Sequence, residues 1–113
     1  MFIKLENNQV KYLPSKYDRL VVELNEDSIK FLKELHTSLS QHFPIEHIIK
    51  NETQLSIKTN VLQKEDIFNN LAYKDHVNII VVIEEVFTMN RLSYLSIKLH
   101  QYKKVLEEIV DLL

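Results

Sequence analysis

The residues most capable of chemistry lie on a predicted strand near the end of the chain. Residues 86–106 contain no Asp or Glu, although the whole chain carries a formal net charge of −2. This stretch contains both cations and aromatic side chains. Arg91 lies in a predicted turn just before the strand. Because alternate residues of a strand point to the same side, four of them are expected on one surface. These four are Tyr94, Lys98, His100 and Tyr102.

Such a surface has the chemistry to bind single-stranded nucleic acid. Nucleobases stack on aromatic rings and lysines neutralise phosphates, neither of which requires reading a sequence. Arg91 would add a further cation to the predicted binding residues. Two other interpretations stay open. Tyr is common on the solvent-exposed face of an antiparallel sheet, and it is also enriched in protein–protein interfaces.

Signatures of the common catalytic and metal sites are absent from the sequence. Glycine is missing, which excludes glycine-dependent phosphate loops, dinucleotide fingerprints and nucleophile elbows. Cysteine is missing, which excludes disulfides and thiolate metal sites. The adjacent acids Glu84-Glu85 and Glu107-Glu108 would face opposite sides of a regular strand, so they are poorly placed for paired acid–base catalysis. We therefore expect no enzyme activity, no catalytic residues, no metal site and no cofactor.

The element that most clearly emerges from the pattern is a helix over residues 28–42. Capping residues precede it, apolar residues recur at helical spacing, and Pro44 ends it. A shorter helix is predicted over residues 64–72. At the C-terminus, Leu106, Ile109 and Leu113 have helical spacing. That third helix would cover the sheet or meet a second subunit, which leaves a homodimer as one possibility.

Strands are predicted where apolar and polar residues alternate. Residues 17–24 and 53–61 show this pattern, and a strand from residue 77 looks covered on both faces and has a bulge near Glu84-Glu85. Its partner follows a turn at Asn90-Arg91. Two short N-terminal pieces flank Asn7-Asn8, a pair that tolerates positive φ and therefore indicates a hairpin.

Length and composition favour one globular domain spanning residues 1–113. The longest apolar run, Ile79–Ile83, is too short to cross a bilayer, and no signal peptide is evident, so we expect a cytoplasmic protein without a membrane partner. Lysine outnumbers arginine twelve to two. This bias is typical of AT-rich genomes such as those of phages, viruses and low-GC bacteria, and a viral protein would act in the host cell.

The stretch VNIIVVIEEVF…SYLSIKLHQY resembles the late hairpin of OB-fold single-stranded DNA-binding proteins of phages and large DNA viruses. In that family an apolar strand ends in an aromatic residue, and the next strand reads aromatic, spacer, apolar-Lys-Leu-x-Gln. The matching residues are Val81, Ile83, Val86, Phe87, Tyr94, Ile97, Lys98, Leu99 and Gln101. The resemblance implies a partly closed barrel with a nucleic-acid-binding face, to which Lys58 from a neighbouring strand would contribute. The chain departs from the family in lacking Trp and Gly. The family's helix lies between the third and fourth strands, whereas here the clearest helix comes earlier, after the segment ending at Leu24, although two N-terminal strands before that segment would restore the count.

Together these patterns predict an α+β fold with a mostly antiparallel sheet of five to six strands and two to three helices. An OB-like barrel is the preferred topology, and a flat sheet with helices on one side is the alternative. The function we expect is that of a small non-enzymatic protein that binds single-stranded DNA. The alternative is a protein–protein interaction module, such as a phage or viral inhibitor or a complex subunit, which could be dimeric through its C-terminal helix.

Overall fold

A computed structural model of the chain describes residues 1–15 and 17–106, with residues 85 and 86 described by their backbone only. The predicted α+β class is confirmed, with five strands and two helices in these residues. None of the described helices has the length and apolarity needed to cross a membrane. The elements are β1 (Phe2–Tyr12), β2 (Arg19–Glu23), α1 (Glu26–Ser40), β3 (Gln54–Lys58), α2 (Val61–Asn70), β4 (His76–Met89) and β5 (Leu92–Lys104).

The five strands close into a barrel with the order β1-β2-β3-β5-β4, and β1 pairs with β4 to complete the ring. All neighbours are antiparallel except β3 and β5, which run parallel and meet at the pair Lys58 and Lys98. The ring excludes the flat-sheet alternative. In the chain order, α2 lies between β3 and β4, and α1 lies between β2 and β3.

One side of every strand fills the barrel with apolar residues. Alternation sends Leu20 and Val22 of β2 inward together with Leu55 and Ile57 of β3, all of them fully buried. Leu32 of α1 packs on the same core. On β5, Leu95, Ile97 and Leu99 also point inward, because all three pack against these residues. The opposite faces of the strands are therefore the outer surface of the barrel.

The N-terminal hairpin prediction is wrong, because β1 is one continuous strand. Its register with β4 shifts between Leu5 and Asn8, and Asn7 adopts a φ of 55° at that irregularity. Asn8 is fully buried, and its side-chain oxygen accepts a hydrogen bond from the backbone N–H of Asn25 at 3.0 Å. The Asn pair thus serves a bulge that joins β1 to the start of α1, not a chain reversal.

Both helices begin at asparagine caps. The Asn25 side chain accepts a hydrogen bond from the Ser28 N–H at 2.8 Å, so α1 begins two residues before the predicted start. Asn60 and Gln63 form a reciprocal capping box, which starts α2 at Val61 instead of the predicted residue 64. The two N-caps satisfy backbone donors that would otherwise lack intrahelical partners.

Two bulges shape the long β4–β5 hairpin. The predicted bulge near Glu84-Glu85 is confirmed, since the register shifts between Glu85 and Phe87. A second shift leaves His100 without a register partner between Leu99 and Gln101, and no sequence pattern indicated it. The predicted two-residue turn is confirmed, with φ of 52° at Asn90 and 65° at Arg91, as a type I′ turn requires. The predicted C-terminal helix falls mainly in residues 107–113, outside the described part of the chain.

Candidate nucleic-acid interface

Three cations from three strands lie side by side on the outside of the barrel. Arg19 of β2 pairs in register with Lys58 of β3, and Lys58 pairs with Lys98 of β5. Neighbouring strands lie about 4.8 Å apart, so the three side chains leave the barrel within roughly 10 Å of one another. We call Arg19, Lys58 and Lys98 the cation row. The register line of these three residues continues onto Val82 of β4 and Phe2 of β1, which are the next paired residues.

The cation row has no ion-pair partner within the described part of the chain. The ion pairs found among the described residues involve Lys4, Lys50, Lys64 and Lys104, and none includes a member of the row. Arg19 donates a hydrogen bond to the Ser56 hydroxyl at 3.4 Å. Like charges on directly paired residues repel one another. An anionic chain lying across these strands would relieve that repulsion, which makes the row a natural site for phosphates.

A groove containing two exposed tyrosines begins at the Arg19 end of the cation row. Tyr12 is 57% exposed at the end of β1, and Tyr17 is 77% exposed in the connection to β2. The groove has a volume of about 560 Å³, and we call it the tyrosine groove. Its walls are formed by Tyr12, Leu13, Ser15, Tyr17, Arg19, Val21 and Ser56. Aromatic faces beside cations are the combination that binds unpaired bases and their phosphates.

Local hydrogen bonds hold the loop that presents this groove. Asp18 adopts a left-handed φ of 53°, which Asp tolerates better than most residues. Its carbonyl oxygen accepts hydrogen bonds from both the backbone N–H and the hydroxyl of Thr59, at 2.8 and 2.7 Å. Its carboxylate pairs with Lys64 of α2 at 2.9 Å. Asp18, which lies between Tyr17 and Arg19, is therefore tied to the end of β3 and to α2.

Three of the residues predicted from the sequence fall at the cation row. Lys58 and Lys98 face each other directly across the seam between β3 and β5, and both are exposed. His100 is also exposed, and its ring meets the ring of Phe2 edge-on with centroids 5.0 Å apart. Because Phe2 belongs to the same register line, His100 borders the row on its β1 side.

Tyr102 does not share this surface, contrary to the predicted alternation. The bulge at His100 reverses the side to which the following residues point, so Tyr102 pairs with inward-facing Ile79 and packs against the core. Its hydroxyl donates a hydrogen bond to the Asp66 carboxylate of α2. Burial, together with that bond, raises the pKa of Tyr102 to about 12. Tyr102 therefore connects β5 to α2 and lies away from the cation row.

Tyr94 and Arg91 lie at the far end of the β4–β5 hairpin. Tyr94 is half-buried and stacks on Phe87, with centroids 4.9 Å apart and planes within 12°. Arg91 is exposed in the turn. Lys98 lies four positions after Tyr94, which is about 13 Å along a strand. These two predicted residues consequently form a separate area, and a strand of nucleic acid would have to extend past the barrel to reach them.

Sequence reasoning missed Arg19, Tyr12 and Tyr17. The strand pattern over residues 17–24 already indicated that Arg19 points away from the core. It could not show which strand lies beside it, because the 30 residues between β2 and β3 include α1. Tyr12 lies at the end of β1 and Tyr17 just before β2, and apolar alternation within either segment could not show that the two rings share a groove.

The described residues contain no group of three or more His, Asp or Glu side chains arranged to hold a metal ion. No known protein-family profile matches the chain, and no curated protein sequence or solved structure is significantly similar to it. The interface must therefore be judged on its own chemistry.

Proposed function

We propose that this protein binds single-stranded nucleic acid across the outer surface of β2, β3 and β5. The observation that carries the proposal is the cation row, in which Arg19, Lys58 and Lys98 lie on adjacent strands without a carboxylate partner among the described residues. Phosphates would contact the row. Bases would stack on Tyr12 and Tyr17 in the tyrosine groove.

A single strand suits this surface better than a duplex. Nonspecific duplex binding depends on a broad basic surface, whereas this chain has a net charge of −2 and concentrates three cations on one line. Exposed tyrosine rings offer a stacking energy that only unpaired bases can use. DNA is the form we favour, in the cytoplasm of the cell or, if the gene is viral, of its host. The role is one of binding and not of catalysis.

The topology supports the same proposal. A five-stranded barrel closed by β1 and β4, with a helix between β3 and β4, resembles the OB-type barrel anticipated from the late hairpin. Proteins with that barrel bind oligonucleotides on the face of their second and third strands and on two loops, between the first two and between the last two strands. In this chain that face carries Arg19 and Lys58, the first loop borders the tyrosine groove, and the second loop is the hairpin turn with Arg91.

Fluorescence anisotropy with labelled oligonucleotides tests the proposal. We expect binding that prefers single strands to duplex and weakens with salt, with log affinity falling against log salt with a slope of about −2 for three phosphate contacts. Lys58→Gln should reduce that slope by about 0.7. Tyr17→Ala should weaken binding by about 1–3 kcal/mol. Lys30→Gln, an exposed lysine on α1, is the matched control and should bind as the unaltered protein does.

Two results would overturn the assignment of this surface. One is the absence of any binding at low salt, where phosphate contacts are strongest. The other is equal affinity in Lys58→Gln, Tyr17→Ala and the Lys30→Gln control. In the second case the protein would bind nucleic acid elsewhere, and Arg91→Gln and Tyr94→Ala would next examine the tip of the hairpin.

A protein partner is the second candidate function, and one observation favours it. Phe87 and Met89 are each about half exposed near the tip of the β4–β5 hairpin, where they add apolar surface to the exposed turn. Exposed apolar surface on an extended hairpin is typical of protein interaction sites. If the oligonucleotide experiment is negative, Phe87→Ser should abolish capture of a partner from the native host while the barrel stays folded. Capture that survives this change would reject the hairpin as the contact.

A further inference from the structure

Two histidines from different elements stack on each other beside the barrel. His36 lies on α1, and His47 lies in the connector, residues 41–53, that leads from α1 to β3. Their ring centroids are 5.0 Å apart and their planes are within 14° of each other. The Nδ1 atom of His36 is buried and has no hydrogen-bond partner among the described residues. A proton added there would place a charged donor out of reach of water and against a second imidazole, which is unfavourable.

The connector that carries His47 also holds the hairpin. The Ser93 N–H donates to the Pro44 carbonyl at 2.8 Å, and the Glu46 N–H donates to the Ser93 carbonyl at 2.9 Å. A Glu46 carboxylate oxygen accepts from the Leu95 N–H at 2.9 Å. These bonds occupy the edge of β5 that faces away from β4. Any loosening of the connector therefore reaches the hairpin directly.

The charged groups around the stack act in opposite directions. A cavity of about 660 Å³ beside the two rings is lined by Lys33 of α1 and by Glu52 of the connector, and no titratable residue of β4 or β5 is among its described walls. Lys33 disfavours a second positive charge there, and Glu52 favours it. Burial first, and then the neighbouring His47, lowers the pKa of His36 from its ordinary value of 6.5.

We propose that the stack of His36 on His47 is a pH-sensitive clasp that fixes the connector, and through it the β4–β5 hairpin, against α1. Neutral rings keep the clasp closed, and protonation forces them apart. A histidine whose pKa is lowered on folding gives its full stabilisation above about pH 6.5 and loses it as the pH falls towards the lowered value. The clasp should accordingly loosen in mildly acidic solution. This inference does not depend on the proposed nucleic-acid binding.

Amide hydrogen exchange at about pH 7.5 and about pH 5.5, which bracket the ordinary histidine pKa, measures the clasp directly. After correction for intrinsic exchange rates, protection of the Glu46, Ser93 and Leu95 amides should fall severalfold at the lower pH. The Thr59 amide, which is bonded to the Asp18 carbonyl in the loop before β2, should keep its protection. Equal protection of the three clasp amides at both pH values would overturn the proposal.

Variants distinguish the clasp from a general effect of acid. His47→Phe retains a ring that can stack but cannot take a proton, and it changes an exposed residue, so folding should be preserved. His36→Phe is the second variant. If either variant no longer loses amide protection at the lower pH, the clasp is supported. If both variants still lose it, the clasp is rejected. His42→Phe, an exposed histidine just after α1, is the matched control and should leave the pH effect intact.

Discussion

Replacing Lys98 by glutamate should make the protein more stable and, at the same time, a weaker ligand for nucleic acid. Lys58 and Lys98 form the register pair that joins β3 to β5, and both are exposed. Lys98→Glu turns a repulsive cross-strand pair into an attractive one at this seam. Cross-strand charge pairs contribute roughly 0.2–1 kcal/mol each, so the unfolding free energy should rise by about 0.5–1 kcal/mol.

Two assays measure the opposite effects. A gain of this size corresponds to an increase in melting temperature of about 2–6 °C for a domain of this length. The same change removes one phosphate contact and adds a negative charge to the row, so single-strand affinity should fall by about tenfold or more, equivalent to about 1.4 kcal/mol. The stabilisation should shrink in high salt, because exposed charges are screened.

Control variants in the cation row test whether charge at this seam is the cause of the change in stability. Lys98→Gln removes the repulsion without adding attraction, and its melting temperature should lie between those of the unaltered protein and Lys98→Glu. Because Lys58 also pairs with Arg19, the third control uses an Arg19→Gln background. In that background, adding Lys58→Glu to Lys98→Glu restores like charges at the seam, so most of the gained stability should be lost. A melting temperature that is unchanged or lower in Lys98→Glu would contradict the prediction. So would equal stability of Lys98→Glu with and without Lys58→Glu in the Arg19→Gln background.

Two further predictions concern the contacts that hold α2 in place. Tyr102→Phe removes the hydrogen bond to Asp66 and should lower the unfolding free energy by about 1 kcal/mol in urea denaturation. Because folding raises the pKa of Tyr102 to about 12, the unaltered protein should lose stability as the pH rises above about 10, and Tyr102→Phe should lose less; equal losses would contradict this. Asn60→Ala removes the capping box of α2 and should cost about 1 kcal/mol, whereas Asn69→Ala on the exposed side of α2 should change stability by less than about 0.5 kcal/mol. If Asn60→Ala and Asn69→Ala unfold at the same urea concentration, the Asn60 cap does not contribute to stability.

Local interactions account for the elements that could be predicted. Apolar spacing and a terminating proline indicated α1, and alternation indicated β2, β3 and the two arms of the hairpin. The turn at Asn90-Arg91 followed from the break between those arms. Periodicity and capping depend on neighbours within a few residues, so both can be recognised in a single amino-acid sequence.

Bulges limited what alternation could predict. Each one adds a residue to a strand and reverses the side to which all later residues point. The bulge before Asn8 was mistaken for a turn, and the bulge at His100 moved Tyr102 from the outer surface to the core. Two asparagines in succession are compatible with either a turn or a bulge. Only the buried bond from Asn25 to the Asn8 side chain distinguishes them.

The sequence alone determined that this chain is an α+β domain whose last strand carries cations, aromatic residues and no acids. Tertiary structure alone decided which cations meet. Arg19, Lys58 and Lys98 are separated by 39 and 40 residues along the chain, and they become neighbours because the ring closes in the order β1-β2-β3-β5-β4. Strand order and register depend on contacts between distant segments, and no local pattern encodes them. The candidate interface is a product of that closure.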